Sequence, residues 1–562
     1  MSRRRYALCS SILAALLANA CSPAADSPSS GNDSDANTSV TTDSGFTFET
    51  EPVDGGSAKD SASEDAAPID STPACTPSGG ADDPDDDFKD TNCDGIDGDK
   101  AHAVFVAPTG SDEAAGTMDA PVKTIAKAIE RATEGGKDVY ACNGTYAESI
   151  VVTKAVRVFG GYDCKSGWKR TLDRASISPS KGIPLTVLSV TGAGLRIDRI
   201  TLHAPDGVEP GESSIALLAS DSQVVVTNGS LQAGAGADGY SPPASAAVTT
   251  AATKGANATS IGAKSCPTNL SLAPWTLVWL CTNPQQGAQT TTAVTECEGH
   301  GGAGGNGAVW SRDTTKAVAP TAGAAGLVAP AGAPARSTMG AGLDGTPGTV
   351  GLLGSPSTKG FGTLSDKGYV ATNNGLPGAP GANGGGGSGG WGNYGGPTST
   401  GDFPEYYFNG GAGGEGGFGG CGGAGGAAGS GGGASFAVVS WKSTISLSKT
   451  TVDSSTGGNG GVGGLGADGQ PGGIGGLGGR STDPREPPSG AGFAGGAGGA
   501  GGRGGNGGSG GGGPSIGIVY VGTKPATESV VFNLGTPGKG GPSSGSEKTA
   551  NGQSGDMVAV TE

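Results

Sequence analysis

The sequence predicts an all-β fold, a parallel β-helix with long glycine-rich insertions, and three observations carry that prediction. The run SIALLASDSQVVVTNGSLQAGAG from Ser214 recurs as SFAVVSWKSTISLSKTTVDSSTGG from Ser435 and as SIGIVYVGTKPATESVVFNLGTPG from Ser515. With the three serines in register, Ile215, Phe436 and Ile516 share a column, as do Leu217, Val438 and Ile518, and Leu231, Val452 and Phe532. Each unit holds two or three short β-branched strands, too few to bury their own apolar face, so the copies must stack as coils of a solenoid. Finally, each copy runs into glycine, and the 114 glycines of the 562 residues cannot line a core in which only 5% of residues are aromatic. The packed part is therefore much smaller than the length suggests.

Export is written at the amino terminus. Arg3, Arg4 and Arg5 precede an apolar run from Tyr6 to Ala18 and small residues before Cys21, the pattern of a signal segment (residues 1–21) rather than a membrane span. The formal charge is −17, and without that segment the balance is 31 basic against 51 acidic residues. Such an acidic chain excludes nucleic acid and anionic surfaces as natural partners. After Cys21, the cysteines Cys75, Cys93, Cys142, Cys164, Cys266, Cys281, Cys297 and Cys421 form an even set, consistent with four disulfides in an oxidising compartment. The segment LLANAC resembles a bacterial lipobox, which implies lipidation at Cys21 and anchorage to a bacterial membrane. Ala18-Asn19-Ala20 also reads as an ordinary cleavage site, which leaves free secretion as the alternative.

Residues 22–80 are Ser, Asp, Thr, Ala, Gly and Pro without apolar periodicity, the composition of a disordered tether. Residues 81–101 follow, with nine aspartates between Asp82 and Asp99, and Cys75 and Cys93 placed as a clasp. Asp90, Asn92 and Asp94 followed by Gly95 reproduce the start of a calcium loop, in which alternating side-chain oxygens and one backbone carbonyl, here of Ile96, surround a hard cation. The twelfth position of an EF-hand is Ala101, so closure falls to Asp97, Asp99 or the upstream Asp85 to Asp87. The alternative is a solvated acidic linker. The stretch is similar to the aspartate-rich metal-binding motif that precedes β-helix domains in surface proteins of soil bacteria, and to thrombospondin-type calcium loops.

In residues 102–233, Val104 to Val106 make a strand, and Ile125, Ala128, Ile129 and Ala132 mark the apolar face of a short helix. Pro108, Gly110, Ser111, Asp112, Gly116, Thr117, Pro121, Lys123, Thr124, Ile125, Ala128 and Ile129 match a pattern that continues through Gly144, Tyr146, Glu148, Gly160, Gly161, Tyr162 and Trp168. This closely resembles the amino-terminal cap and first coils of bacterial right-handed β-helix proteins of the pectin-lyase-like superfamily. The resemblance implies that the helix plugs the open end of the apolar stack, while Asp112 reads as the cap of a turn, with an ion ligand as the alternative. Cys142 and Cys164 are expected to bridge the first coils. Leu195 to Ile197 and Val224 to Val226 lie 29 residues apart, a coil with its loop.

The stack then breaks at residues 234–434, a cysteine-containing and glycine-rich insertion, resumes as a coil at 435–456, breaks again at 457–513, and ends in a last coil and tail at 514–562. In the second insertion 30 of 57 residues are glycine, in PGRS-like tracts. Because the insertions follow one column of the repeat, stacking places them on one side of the solenoid. There they either pack as polyglycine-II strands or stay mobile, since the backbone entropy of glycine opposes order.

Many proteins of the resembled superfamily cleave polysaccharides, which needs converging carboxylates or, for a lyase, calcium with an Arg or Lys base. Asp198, Asp206, Asp221 and Asp453 are the candidate acids in the coils and form no paired motif; Arg196 and Arg199 alternate as outward residues; His300 sits at the mouth of a glycine tract; and His102 and His203 stand alone. The expectation is a non-catalytic cell-surface or secreted structural or adhesive protein with a calcium-stiffened stalk, facing a polysaccharide matrix or other surface proteins. A carbohydrate-active β-helix, lyase or glycan-binding, is the alternative.

Overall fold

A computed structural model describes residues 75–77, 79, 82–260, 285–290, 297–309, 317–327, 332–394, 396–398, 406–480 and 490–561. They fall in the second of two compact units, Pro73–Glu562. The expected signal segment, Cys21 and most of the tether lie outside the described residues, as do Cys266 and Cys281.

A 3-10 turn, Lys100–His102, leads into β1 (Ala103–Val106) and helix α1 (Ile125–Gly135). The first coil is β2 (Asp138–Cys142), β3 (Gly144–Tyr146) and β4 (Ile150–Val152). The second is β5 (Val156–Asp163), with β6 (Lys169–Arg170) folded back on it, then β7 (Ala175–Ile177) and β8 (Leu185–Leu188). The third is β9 (Leu195–Asp198), β10 (Ile200–His203) and β11 (Ser214–Ser220). The fourth begins with β12 (Gln223–Thr227) and β13 (Ser230–Gln232). A long insertion with the small hairpins β14 (Thr363–Ser365)–β15 (Gly368–Val370) and β16 (Gly396–Thr398)–β17 (Tyr406–Phe408) then precedes its third strand, β18 (Ser435–Trp441). The fifth is β19 (Thr444–Ser448), β20 (Thr451–Asp453) and β21 (Ser515–Val521), and the sixth β22 (Ala526–Glu528), β23 (Val531–Asn533) and β24 (Ser554–Ala559).

Three parallel sheets result, ordered β1-β2-β5-β9-β12-β19-β22, β3-β7-β10-β13-β20-β23 and β4-β8-β11-β18-β21-β24. This is the expected parallel β-helix, and the repeat columns are its ladder. Ser214 pairs with Ser435 and Ser435 with Ser515; Leu217, Val438 and Ile518 stack, as do Leu231, Val452 and Phe532. Strands β11, β18 and β21 are buried on both faces because their outer apolar residues, Ile215, Phe436 and Ile516, are covered by Leu364 and Tyr369 of the β14–β15 hairpin. Double burial explains why these strands read as near-continuous apolar runs.

The corners are equally regular. Ser189, Asp221 and Lys442 turn the chain from the third sheet into the first, and Arg199, Asn228, Lys449 and Ser529 turn it from the first into the second, all at φ between 48° and 55°. Single left-handed residues strain a non-glycine side chain. Here the backbone ladder holds them: Arg199 N donates to Thr227 O, Asn228 N to Ser448 O and Lys449 N to Glu528 O.

Helix α1 plugs the amino-terminal end, burying Ile125, Ala128, Ile129 and Ala132 in the main core. Thr124 is its N-cap and Gly136, at φ 62°, its left-handed C-cap. Asp112 receives the N–H groups of Lys123 and Thr124, so it is the cap expected of it. Glu148 reaches across from the first coil to accept the N–H groups of Ile125 and Ala126 at the helix start.

The described glycine tracts pack. Toward any one neighbouring strand, every third N–H donates: Gly378, Gly381 and Gly384 to Gly426, Gly423 and Gly420; Gly420, Gly423 and Gly426 to Gly499, Gly502 and Gly505; Gly501, Gly504 and Gly507 to Gln470, Ala467 and Gly464. A period of three with bonds only between strands is the pattern of polyglycine II, the glycine counterpart of a polyproline-II helix. The strands approach so closely that a Cβ on Gly423 would sit 2.0 Å from Ala467 O, and one on Gly425 2.0 Å from Gly378 O. Polar side chains fill the gaps in the lattice: Asn383 accepts from Gly422 N, Gln470 from Cys421 N and Asn506 from Gly466 N. The hydrogen bonds of the lattice thus decide between the two expectations for these tracts in favour of order.

Candidate functional site

The aspartate-rich segment is laid on the outer face of the first sheet. Phe105, Tyr140, Phe159, Tyr162 and Trp168 form an aromatic layer there with Cys142, and Ile96 is buried against it. Tyr162 Oη donates to Asp97 O at 2.7 Å, and Asp99 N donates to Tyr140 Oη at 2.8 Å. Burial and loss of water push both phenols up, so they stay neutral hydrogen-bonding groups.

Charge fixes the rest of the segment. The Arg170 guanidinium is fully buried between Asp97, at 3.1 Å, and Asp198. One cation shared by two carboxylates does not offset the desolvation of Asp97, whose pKa is pushed up to about 6 by burial. Asp198 also accepts from Asn228 Nδ2 at 2.9 Å. Asp86 receives Arg199 Nη2 at 2.8 Å, Asn228 Nδ2 at 2.9 Å and Lys449 Nζ at 2.6 Å; the Lys449 hydrogen bond, against some desolvation, holds it below the usual carboxylate range. Asp83 pairs with Arg157, which also forks onto Asp138. Phe88 lies under the guanidinium of Arg199 at 4.8 Å. The segment is therefore a strap whose carboxylates meet cations from successive coils.

The expected cation ligands go four ways. Asp90, Asn92 and Asp94 come together: Asp90 accepts Asp94 N and Gly95 N, Asn92 Oδ1 accepts Asp94 N, and Asn92 Nδ2 donates to Asp94 Oδ2. Asp94 also accepts Ile96 N and Lys100 N. Asp97 turns inward to Arg170 and takes Asp85 N on its other oxygen. Asp99 caps the 3-10 turn and pairs with His102 at 2.7 Å. Ile96 contributes a buried side chain to the aromatic layer. Among the described residues no three His, Cys, Asp or Glu side chains are grouped around one point.

Three disulfides join described cysteines. Cys75–Cys93 closes the strap, Cys142–Cys164 ties the first coil to the turn after β5, and Cys297–Cys421 crosses the glycine lattice, with Cα separations of 5.7, 5.4 and 5.1 Å.

The four candidate carboxylates of the coils are individually engaged. Besides Asp198, Asp206 accepts Ala235 N, Asp221 accepts Ser220 Oγ and Asp453 accepts Asn533 Nδ2. His203 meets Gln232, and the His300 ring lies tilted against Phe418, with centroids 5.3 Å apart. The expectation that Arg196 and Arg199 are ordinary outward residues needs correction. Arg199 is buried under the strap against Asp86, and Arg196 lies over the Phe159 ring at 5.4 Å. Sequence reasoning missed the strap's counter-charges, yet the signal was present: Asn228, Lys449 and Ser529 occupy the same position after Ser214, Ser435 and Ser515, and nine aspartates required cations somewhere.

No protein-family model matches the chain, and no solved structure matches it. A curated pectate lyase, PEL9 of Emericella nidulans, is 44% identical over 54 residues, which is 9% of this chain and 13% of that protein. The match thus spans about an eighth of that protein's length. The chain is a parallel β-helix with a short stretch of likeness to a pectate lyase, which together point to the pectin-lyase-like kind of β-helix.

Proposed function

We propose that this is a non-catalytic structural or adhesive protein of the bacterial cell surface, held to the membrane by a lipid on Cys21, or else secreted. In this reading the tether carries a solenoid whose glycine lattice faces the polysaccharide matrix or neighbouring surface proteins. The observation that carries the proposal is the engagement of the coil carboxylates: Asp198 is spent on Arg170, and Asp206, Asp221 and Asp453 each hold a neighbouring group of the coils. General acid and base work needs two such groups free to converge on one bond.

Calcium belongs to the proposal as a stiffener of the stalk. Asp90, Asn92 and Asp94 supply hard oxygen donors in one loop: both Asp90 oxygens, Asn92 Oδ1 and Asp94 Oδ1 each keep a lone pair beyond the hydrogen bond they accept, whereas Asp94 Oδ2 accepts two. Asp97 would act through Arg170, anchoring the loop to the coils. The test is binding and cleavage on one preparation. Purified chain incubated with a panel of acidic and neutral polysaccharides, with calcium and with chelator, should retain polymer on sedimentation or leave it free, without releasing new chain ends. Release of unsaturated or reducing ends, lost on Asp198→Asn, would refute it.

The second reading, a carbohydrate-active β-helix, is favoured by the 44% identity to a pectate lyase. In that case Arg196 or Arg199 is the available base, and the strap over Arg199 would have to move.

A further inference from the structure

One face of the glycine lattice is apolar and, among the described residues, uncovered. In the lattice strand 457–479 each triplet turns two residues against neighbouring strands and one outward. A Cβ on Gly472 or Gly475 would sit 2.0 Å from Gly498 O or Gly495 O, and one on Gly473 or Gly476 would run into Thr253 O or Ala256 O. What remains outward is a ridge of Asp468, Pro471, Ile474 and Leu477, the last two each 62% exposed. In the adjacent strand 492–513 a Cβ on Gly498 or Gly499 would meet Phe418 O or Thr346 O, so Ala494, Ala497, Ala500 and Arg503 are the outward set. Alanines beside leucine and isoleucine make this strand a trough. Its far wall is the strand 342–357, bonded along it through Gly345 N to Ala497 O and Gly348 N to Ala500 O. There Asp344 Oδ1 accepts Ala497 N, which puts the line of Asp344, Pro347 and Val350 on the same face. The trough closes beyond Arg503, where Asn506 Oδ1 turns down to accept Gly466 N and Ser509 Oγ donates to Pro542 O.

We propose that this face binds the same face of a second copy, about a two-fold axis that runs parallel to the strands, between ridge and trough. The register of the two strands selects that partner. Gly495, Gly498, Gly501 and Gly504 donate to Gly476, Gly473, Gln470 and Ala467. Leu477 is therefore level with Ala494, Ile474 with Ala497, Pro471 with Ala500 and Asp468 with Arg503, the last pair in contact at 3.4 Å. An axis along the strands keeps every level and exchanges ridge for trough. Each of these four pairs is then made again across the interface, twice, so every large side chain lies on an alanine and each acid on a base. A two-fold axis across the strands would set ridge on ridge and acid on acid.

The extent of the face fits. From Asp468 to Arg480 the ridge runs about 37 Å at about 3.1 Å per residue. Ridge, trough and wall, about 5 Å apart, make it about 15 Å wide. Two such faces bury about 1,100 Å², enough for a specific interface, and an apolar surface of that extent marks an interaction site. The inference rests on the packing of the lattice and not on the adhesive reading, which the polysaccharide assay tests by itself.

The test is sedimentation velocity of the full chain across a concentration series. A dimer is expected at micromolar concentration. Asp468→Arg, which sets four like charges together, should weaken it at least about fivefold, and the double exchange Asp468→Arg/Arg503→Asp should restore it. Ala497→Phe fills the trough where Ile474 of the second copy would lie and should weaken it at least about tenfold. All three side chains point away from the lattice, so folding is retained; the circular dichroism of the variants checks this. A monomer at every concentration overturns the proposal. A dimer indifferent to Asp468→Arg or to Ala497→Phe, or one that the double exchange does not restore, overturns it equally, because association would then use another surface.

Discussion

Replacing Gly423 by alanine isolates what the glycine lattice does. The new methyl would lie 2.0 Å from Ala467 O, a contact that must open by about 1 Å to be tolerated, and the obstacle is backbone. Ala467 O already accepts Gly504 N at 2.8 Å, and Gly423 N donates to Gly502 O at 2.8 Å. A shift of that size takes both bonds out of range. Each is worth about 1 kcal/mol net, and buried groups left unpaired add about 1–3 kcal/mol. Against this stands a gain of about 0.4–1 kcal/mol from the stiffer unfolded chain. The expected net loss is about 2–4 kcal/mol, opposite in sign to a glycine-to-alanine change in open space. Hydrogen exchange at the Gly381, Gly423 and Gly504 amides reads the lattice locally, and their protection should fall at least about tenfold. Leu465→Ala, on an outward side chain 50% exposed, is the matched control and should change stability by no more than about 0.5 kcal/mol. If Gly423→Ala proves as silent as the control, the tracts are not held by close backbone packing.

Removing the shared cation by Arg170→Met leaves Asp97 and Asp198 buried without it, and urea unfolding should show a loss of about 3–5 kcal/mol. The pH profile follows from Asp97, whose folded pKa of about 6 lies above its ordinary 3.8. Between those values the folded state holds a proton that the unfolded state has lost, so this group makes stability fall as pH rises from about 4 to 6; Asp97→Asn should remove that slope. Asp112 is the opposite case: despite some desolvation, the Thr124 and Lys123 donors hold it below 3.8, so its contribution is present above that pH and is lost as acid protonates it, as thermal melts of Asp112→Asn against the parent would show. Calorimetric titration of the full chain with calcium should show saturable binding that Asp90→Asn with Asp94→Asn abolishes; binding unaffected by that pair would remove calcium from the stalk.

The sequence by itself determined the solenoid. Its columns are a one-dimensional property: a residue that stacks on its equivalent in the next coil must be apolar at the same place in each repeat, so Leu217, Val438 and Ile518 were legible from spacing alone, as was the buried face of α1. Order in the glycine tracts was legible only in part. The period of three is visible at Gly498, Gly501, Gly504 and Gly507, but glycine is compatible with both lattice and coil, and only neighbours at hydrogen-bonding distance outweigh its entropy. The strap was decided by tertiary structure. Asp86 meets Lys449 across 363 residues and Asp97 meets Arg170 across 73, and nothing local in an aspartate run distinguishes a carboxylate that will hold a cation in water from one that will be buried on an arginine. That choice depends on the aromatic layer beneath, which exists once the first coils have stacked.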